Sequence, residues 1–286
     1  MDTEIKEFWN ETMQEVDSLP LDCVEKKGAQ ANQYCDVDKL IFQGLGNKRF
    51  SCLRVVPKSE HGCSKRAVIF LPGGYAGWTP RPHVWFEGID TLCVDPRGQG
   101  HSKHDCDVRD NITTGIKNRF TCHLRHVYAD VRQSVNYLAA SGYTSIAIVG
   151  NCFGGAIALG MGALDSRVKV VCAQMPYLAD WERCANEKVK CYEYLLKYLD
   201  RYPNMRDKTF GVLRFFDLFN LVPDMMAHSF VTVGEGNSVV PPGHVWDIYS
   251  KIGGDKARLF LCDGNWGYGN DPNYYYWQLC MMRKYL

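Results

Sequence analysis

Ile146–Gly155, IAIVGNCFGG, constrains the fold of this chain more than any other stretch. An apolar run ends in Gly150-Asn151-Cys152-Phe153-Gly154-Gly155, and the small-residue run Ala156–Ala163 follows. This is the pattern of a buried strand, a very tight turn and a helix. Glycines on both flanks are what that geometry needs. The central residue sits in a strained backbone conformation, and side chains at Gly150 and Gly154 would collide with the neighbouring strand and helix. The position between such glycines is where this kind of turn displays a nucleophile. Here it holds Cys152, so function turns on whether that thiol works as one.

The rest of the composition bounds the answer. With 286 residues and 46% hydrophobic content the chain can bury a full core, as one large α/β domain or two small ones. A formal net charge of +1 leaves no electrostatic footprint for nucleic acid or an acidic membrane. The first residues, MDTEIKEFWNETMQEV, are charged and amphipathic and lack the apolar run of a signal peptide. No apolar stretch reaches transmembrane length, so a soluble, cytoplasmic protein is expected. The 13 cysteines are scattered, odd in number and contain no C-x-x-C pair. Those in apolar contexts, such as Cys93, Cys172 and Cys262, read as buried free thiols of a reducing compartment. Cys122-His123 and His126 have no further partner set, and neither a metal nor a cofactor is expected.

From Met1 to about Ser18, the spacing of Ile5, Phe8, Trp9 and Met13 predicts an amphipathic helix. Strands are predicted at 33–42 and 50–56 around a turn at 44–48, then at 67–71, 89–94, 146–150, 168–174, 229–233 and 258–261. Helices are predicted over 123–141, after Cys152, over 181–202 and 208–219, over 244–252 behind Pro241-Pro242, and at the C-terminal end. The alternation argues for a mostly parallel, doubly wound sheet in a single domain over 1–286, with a helical cap or insertion at about 178–222. Ligands of such sheets bind beyond the carboxyl ends of the strands. Five strand ends carry unusual loops there, at Tyr75, Arg97–Gln99, Cys152, Asn237 and Asn265. Their convergence marks the candidate site more strongly than any one motif.

Several segments together carry a family likeness. They are DPRGQGHS at 95–102, GIKNRFTCHLRHVYADVRQSV at 115–135, GNCFGG at 150–155, NSVVPP at 237–242 and DGNWG at 263–267. The chain resembles the acetyl xylan esterase / cephalosporin C deacetylase esterases of the α/β-hydrolase fold, from the N-terminal FW helix almost to the C-terminus. Carried over position by position, the resemblance implies a triad at Cys152, Asn237 and Asn265, where the family has Ser, Asp and His. All three have changed. The resemblance also implies oxyanion donors on the backbone N–H groups of Tyr75 and Phe153, and a supporting role for Arg97 and Gln99. It carries an expectation of homo-oligomers as well.

Chemistry leaves two readings open. Serine needs a base to become a nucleophile, whereas a thiol at a helix N-terminus can lose its proton to the helix dipole and nearby N–H groups. Losing the histidine while gaining a cysteine is coherent as a pair of changes. A substitute imidazole is offered by His244, at the start of the helix leaving the Asn237 loop, or by His101 or His104 after RGQG. Asp263 and Glu235 are the remaining acids. Without a base, Cys152 can still take an acyl group from an activated donor, but discharge to water is poor, which favours transfer to an amine or thiol. Deacetylation of xylan itself is not expected. The first reading is thus a cysteine-nucleophile acyl hydrolase or acyltransferase acting on a small ester, thioester or amide. The second is an inactive esterase-like protein that binds a small molecule or partner in a pocket lined by Cys152, Asn237, Asn265, Tyr75 and Trp266. A third, a lyase or isomerase, lacks an identifiable acid or base.

Overall fold

The computed structural model describes residues 1–28, 33–58, 65–74, 88–106, 111–253, 257–262 and 273–286. Helix α1 (Thr3–Asp17) opens the chain, capped by the Asp2 carboxylate, which accepts from the Ile5 N–H at 2.9 Å. Strands β1 (Cys23–Lys26), β2 (Cys35–Gly44) and β3 (Lys48–Pro57) form an antiparallel meander. Next come β4 (Arg66–Leu71), β5 (Asp90–Asp95), the short α2 (Gly100–Asp105) and α3 (His123–Ala140). The elbow follows as β6 (Ser145–Asn151) and α4 (Phe153–Leu164), then β7 (Val168–Gln174).

A helical segment intervenes before β8 (His228–Gly234), α9 (Pro242–Lys251), β9 (Ala257–Cys262) and α10 (Asn273–Tyr285). That segment consists of α5 (Trp181–Asn186), α6 (Glu193–Arg201), α7 (Arg206–Leu213) and α8 (Leu218–Leu221), interleaved with single 3-10 turns. The two longer helices expected there are broken. The first breaks after α5, where Lys188 adopts a left-handed φ of 54°, and the second at Asp217, whose backbone is extended at ψ 123° between α7 and α8. Asp217 caps α8, accepting from the Phe219 N–H at 2.8 Å.

The nine strands form one sheet in the order β1-β2-β3-β5-β4-β6-β7-β8-β9. β3 runs antiparallel to β5, and all pairings from β5 to β9 are parallel. The parallel strands read as continuous apolar runs because helices cover both faces; all six residues of β5 are buried. One core layer holds α1, α3 and α4 against the sheet, and a second lies between the opposite face and α10. The expected face of α1 is buried, and the Trp9 indole N–H donates to the Phe215 carbonyl at 2.9 Å. Among the described residues, no helix is long and apolar enough to cross a membrane.

The chain order reverses at β4, which lies between β5 and β6, and such a reversal opens a crevice at the strand ends. Leu71 of β4 is in register with Gly150 of β6, so the loop at Gly73 abuts the elbow. A side chain at Gly73 would come within 3.1 Å of the Asn151 carbonyl and 3.3 Å of the Cys152 Cβ.

Candidate active site

Backbone crowding builds the elbow. Cys152 stands between β6 and α4 at φ 52°, ψ −112°, a conformation that L-residues avoid. Its N–H donates to the Gln174 carbonyl of β7 at 2.8 Å, and its carbonyl accepts from the Ala156 N–H at 3.0 Å. A side chain on Gly150 would overlap the Gly154 peptide, and one on Gly154 would overlap the Leu71 and Pro72 carbonyls. The collisions expected from the sequence are therefore collisions with backbone, which cannot move aside. The Cys152 side chain is partly exposed at this turn.

The electrostatics of the thiol differ from expectation. Burial pushes the Cys152 thiol up to about 11, and the opposing hydrogen bond from the Phe153 N–H does not offset it. A helix N-terminus lowers a thiol pKa only where its partial charge exceeds the cost of desolvating the thiolate, and here desolvation is larger. The lowering that a helix N-terminus can supply is outweighed here. The Phe153 side chain turns into the core, its ring 6.4 Å from that of Tyr177.

Asn237, which the resemblance sets against the family's acid, is 4% exposed and organises its own loop. Its Oδ1 accepts from the Val239 and Val240 N–H groups at 2.9 and 3.0 Å, an Asx-type turn. Those two donors fix the amide orientation, so Nδ2 is the atom that donates to the Met175 sulfur, at 3.0 Å. A carboxylate at 237 would keep the turn but set a desolvated oxygen against the thioether. Asn237→Asp, which restores the family's acid, is therefore expected to cost about 1–3 kcal/mol, the penalty of an unpaired buried polar atom. Thermal melting checks this; an unchanged or higher midpoint would mean that the amide–sulfur contact contributes nothing.

His244 lies where the diproline places it, in the first turn of α9, and is buried. Both ring nitrogens are engaged. Nδ1 is 3.5 Å from the Cys184 sulfur, and Nε2 is 3.2 Å from the Tyr192 hydroxyl. Burial pulls the imidazole down to about 4 and pushes the Cys184 thiol up to about 11, so this pair is neutral thiol and neutral imidazole. His101 donates its backbone N–H to the Asp95 carboxylate at 2.9 Å, and Glu235 is exposed. Tyr75, Asn265, Trp266, Asp263 and the His104 side chain lie outside the described residues.

Arg97 and Gln99 leave β5 toward the site. Arg97 is 1% exposed and forms a fork with Asp130 of α3, Nε to Oδ2 at 3.0 Å and Nη2 to Oδ1 at 2.7 Å. Its Nη1 donates to the Leu45 carbonyl at 3.0 Å, and its own backbone N–H donates to Asp130 Oδ2 at 3.1 Å. The pair ties the β5 loop, α3 and the β2–β3 turn together. Gln99 is fully buried, and its amide has no hydrogen-bond partner among the described residues. Among the described residues no group of His, Cys, Asp or Glu is arranged to hold a metal.

The profile of the acetyl xylan esterase (AXE1) family matches residues 1–271. The chain belongs to the acetyl xylan esterase family. Its α/β-hydrolase fold is shared with the acetyl xylan esterase from Paenibacillus sp. R4, at a TM-score of 0.86 and 20% identity over 100% of this chain and 95% of that one. Acetyl xylan esterase 1 from Thermoanaerobacterium sp. JW/SL YS485 superposes with a TM-score of 0.81 at 21% identity, over 98% and 92% of the two chains. In sequence, 152 residues are 23% identical to the acetyl esterase Axe7A of Xylanibacter ruminicola, covering 52% of this chain and 34% of that protein. The chain thus matches about a third of the length of that larger relative.

Family membership and geometry also bring forward residues that the sequence did not single out. Met175 from the loop after β7, Cys184 from α5 and Tyr192 from a 3-10 turn contact the candidate positions Asn237 and His244, and none carries a motif of its own.

Proposed function

We propose that this acetyl xylan esterase family member is a slow acyl-transfer enzyme working through an acyl-Cys152 intermediate. It takes a small acyl group, acetyl above all, from an activated ester or thioester. The thiolate sulfur attacks the carbonyl carbon, the Phe153 N–H faces the developing oxyanion, and the alkoxide or thiolate leaves with its electron pair and is protonated by solvent. One observation carries this reading: a half-buried cysteine at the strained elbow, with the Phe153 N–H hydrogen-bonding its sulfur.

Discharge is the harder half. Asn237 is spent on its turn and on Met175, and His244 on Cys184 and Tyr192. Neither is free to activate water, so thiols and amines, which need less activation, are the favoured acceptors. The 11 free cysteines among the described residues suit a reducing, cytoplasmic setting for such chemistry.

Mass spectrometry after exposure to p-nitrophenyl acetate tests the proposal. An acetyl adduct on Cys152 is expected to persist in buffer and to discharge on addition of a small thiol, and Cys152→Ala is expected to form none at the elbow. Equal acetylation and turnover in Cys152→Ala overturns it. The same commitments of Asn237 and His244 favour a second reading, a binding protein on an esterase scaffold. Tight binding of a small ester with no adduct would decide for that reading.

A further inference from the structure

We infer that Tyr192 is the positioning residue of the Cys152 site: its hydroxyl, backed by His244, fixes the Leu178–Ala179 peptide and through it the β7 carbonyl that holds the elbow. The inference rests on the acyl-transfer reading for its kinetic consequence and on geometry alone for the brace.

The loop after β7 is strained. Met175, Leu178 and Asp180 all lie at positive φ, at 36°, 74° and 48°, with no glycine among them. Such conformations persist only where surrounding groups over-determine them. The loop begins at Gln174, whose carbonyl receives the Cys152 N–H at 2.8 Å, so its path sets where the nucleophile sits. At Met175 it is held by the Thr232 carbonyl, which accepts the Met175 N–H at 2.6 Å, and by the Asn237 amide on the sulfur.

At Leu178 and Ala179 one buried oxygen carries the load. The Tyr192 hydroxyl accepts from the Leu178 N–H at 3.1 Å and the Ala179 N–H at 3.0 Å, and donates to the Ala179 carbonyl at 2.7 Å. That last contact is the shortest, so the hydroxyl proton is assigned there. The neutral His244 flanks the same oxygen, its Nε2 3.2 Å away, and its Nδ1 lies 3.5 Å from the Cys184 sulfur. His244 rides on the helix that follows the Asn237 turn. The Asn237 loop and the β7 loop are therefore stitched at two points, by Asn237 to Met175 and by His244 through Tyr192 to Leu178–Ala179.

Tyr192 and its ring neighbours Tyr177 (5.4 Å) and Trp181 (5.2 Å) form an aromatic layer that reaches Phe153, the residue after the nucleophile. The helical segment between β7 and β8 thus meets the elbow through this residue. Tyr192→Phe keeps the ring and deletes the only atom that the brace uses.

Backbone hydrogen exchange and Cys152 kinetics in the full chain test this with Tyr192→Phe and, should that variant fold poorly, His244→Gln. Exchange at Leu178 and Ala179 is expected to rise at least ~10-fold in Tyr192→Phe, with β5, β6 and β8 unchanged. Acyl-adduct formation on Cys152 from p-nitrophenyl acetate is expected to slow by roughly 10- to 100-fold, the cost of a misplaced reacting atom. Alkylation by iodoacetamide, which needs no aligned carbonyl, should stay within about twofold. Unchanged exchange at the two peptides overturns the brace. Acylation and alkylation that fall in the same ratio, or neither falling, overturns the positioning role and leaves a structural one. A wild-type chain that forms no adduct overturns the acyl-transfer reading instead, and exchange then decides the brace by itself.

Discussion

Asp130→Ala is expected to lower stability by about 3–5 kcal/mol, the range for removing one partner of a buried ion pair. Asp130 receives three donors from Arg97, the backbone N–H and two guanidinium nitrogens. Its loss leaves a guanidinium that is 1% exposed with the Leu45 carbonyl as its remaining protein partner. Since one kcal/mol moves the melting midpoint of a large domain by roughly 2–4 °C, a fall of about 6–20 °C should be read by calorimetry. Asp130→Asn, which keeps one acceptor and loses the charge, should fall between. Replacing both partners with apolar residues of similar size should recover part of the loss, because no buried charge is then left unpaired. A midpoint unchanged in Asp130→Ala would show that the pair is not what ties the β5 loop to α3.

The second large effect is the pH dependence of Cys152. With its thiol pushed up to about 11 from an ordinary 9.0, the ionised fraction should rise about tenfold per pH unit through the neutral range and up to pH 10. Labelling by iodoacetamide, followed by mass spectrometry of the Cys152 peptide, is expected to climb with that slope and show no plateau below pH 10. At neutral pH the thiolate is about 100-fold scarcer than in an unperturbed thiol. The higher intrinsic nucleophilicity of a high-pKa thiolate offsets part of this. A plateau near or below pH 8 would mean that a base reaches the sulfur, and the slow-discharge mechanism would fail with it. The buried cysteines Cys93, Cys122 and Cys172 are pushed up in the same direction by burial and lack the exposure of Cys152, so they provide the unlabelled internal reference.

The parallel strands and the elbow were legible because their signals are local. Continuous apolar runs such as Ala67–Leu71, and glycines whose absence of Cβ is required by backbone contact, declare themselves within ten residues. β1 was not legible, since Cys23–Lys26 is an edge strand with one half-buried and three exposed residues and so shows no alternation. The breaks in the helical segment turn on the backbone of single residues, left-handed at Lys188 and extended at Asp217, which composition does not mark. At the site, the place of His244 followed from Pro241-Pro242, but its partners did not, because Cys184 and Tyr192 lie 60 and 52 residues away in sequence. The balance that sets the thiol pKa was hidden for the same reason. A helix dipole is a local property that the sequence displays, whereas burial of the sulfur depends on everything packed around it.

The hydrogen bond from Trp9 to Phe215 bears on how the chain is made. Its ends are 206 residues apart, and the rings of Phe8 and Trp9 pack on Phe215 and Phe216 as well. During synthesis at about 5–20 residues per second, the first helix waits roughly 10–40 s for the segment that covers it. α3, which packs on the same helix through Tyr128 and Arg125, is made earlier, so only the part of the stripe that meets Phe215 and Phe216 waits that long. The first helix thus completes its packing only when the segment around Phe215 has been made, although it is well buried when folding is done.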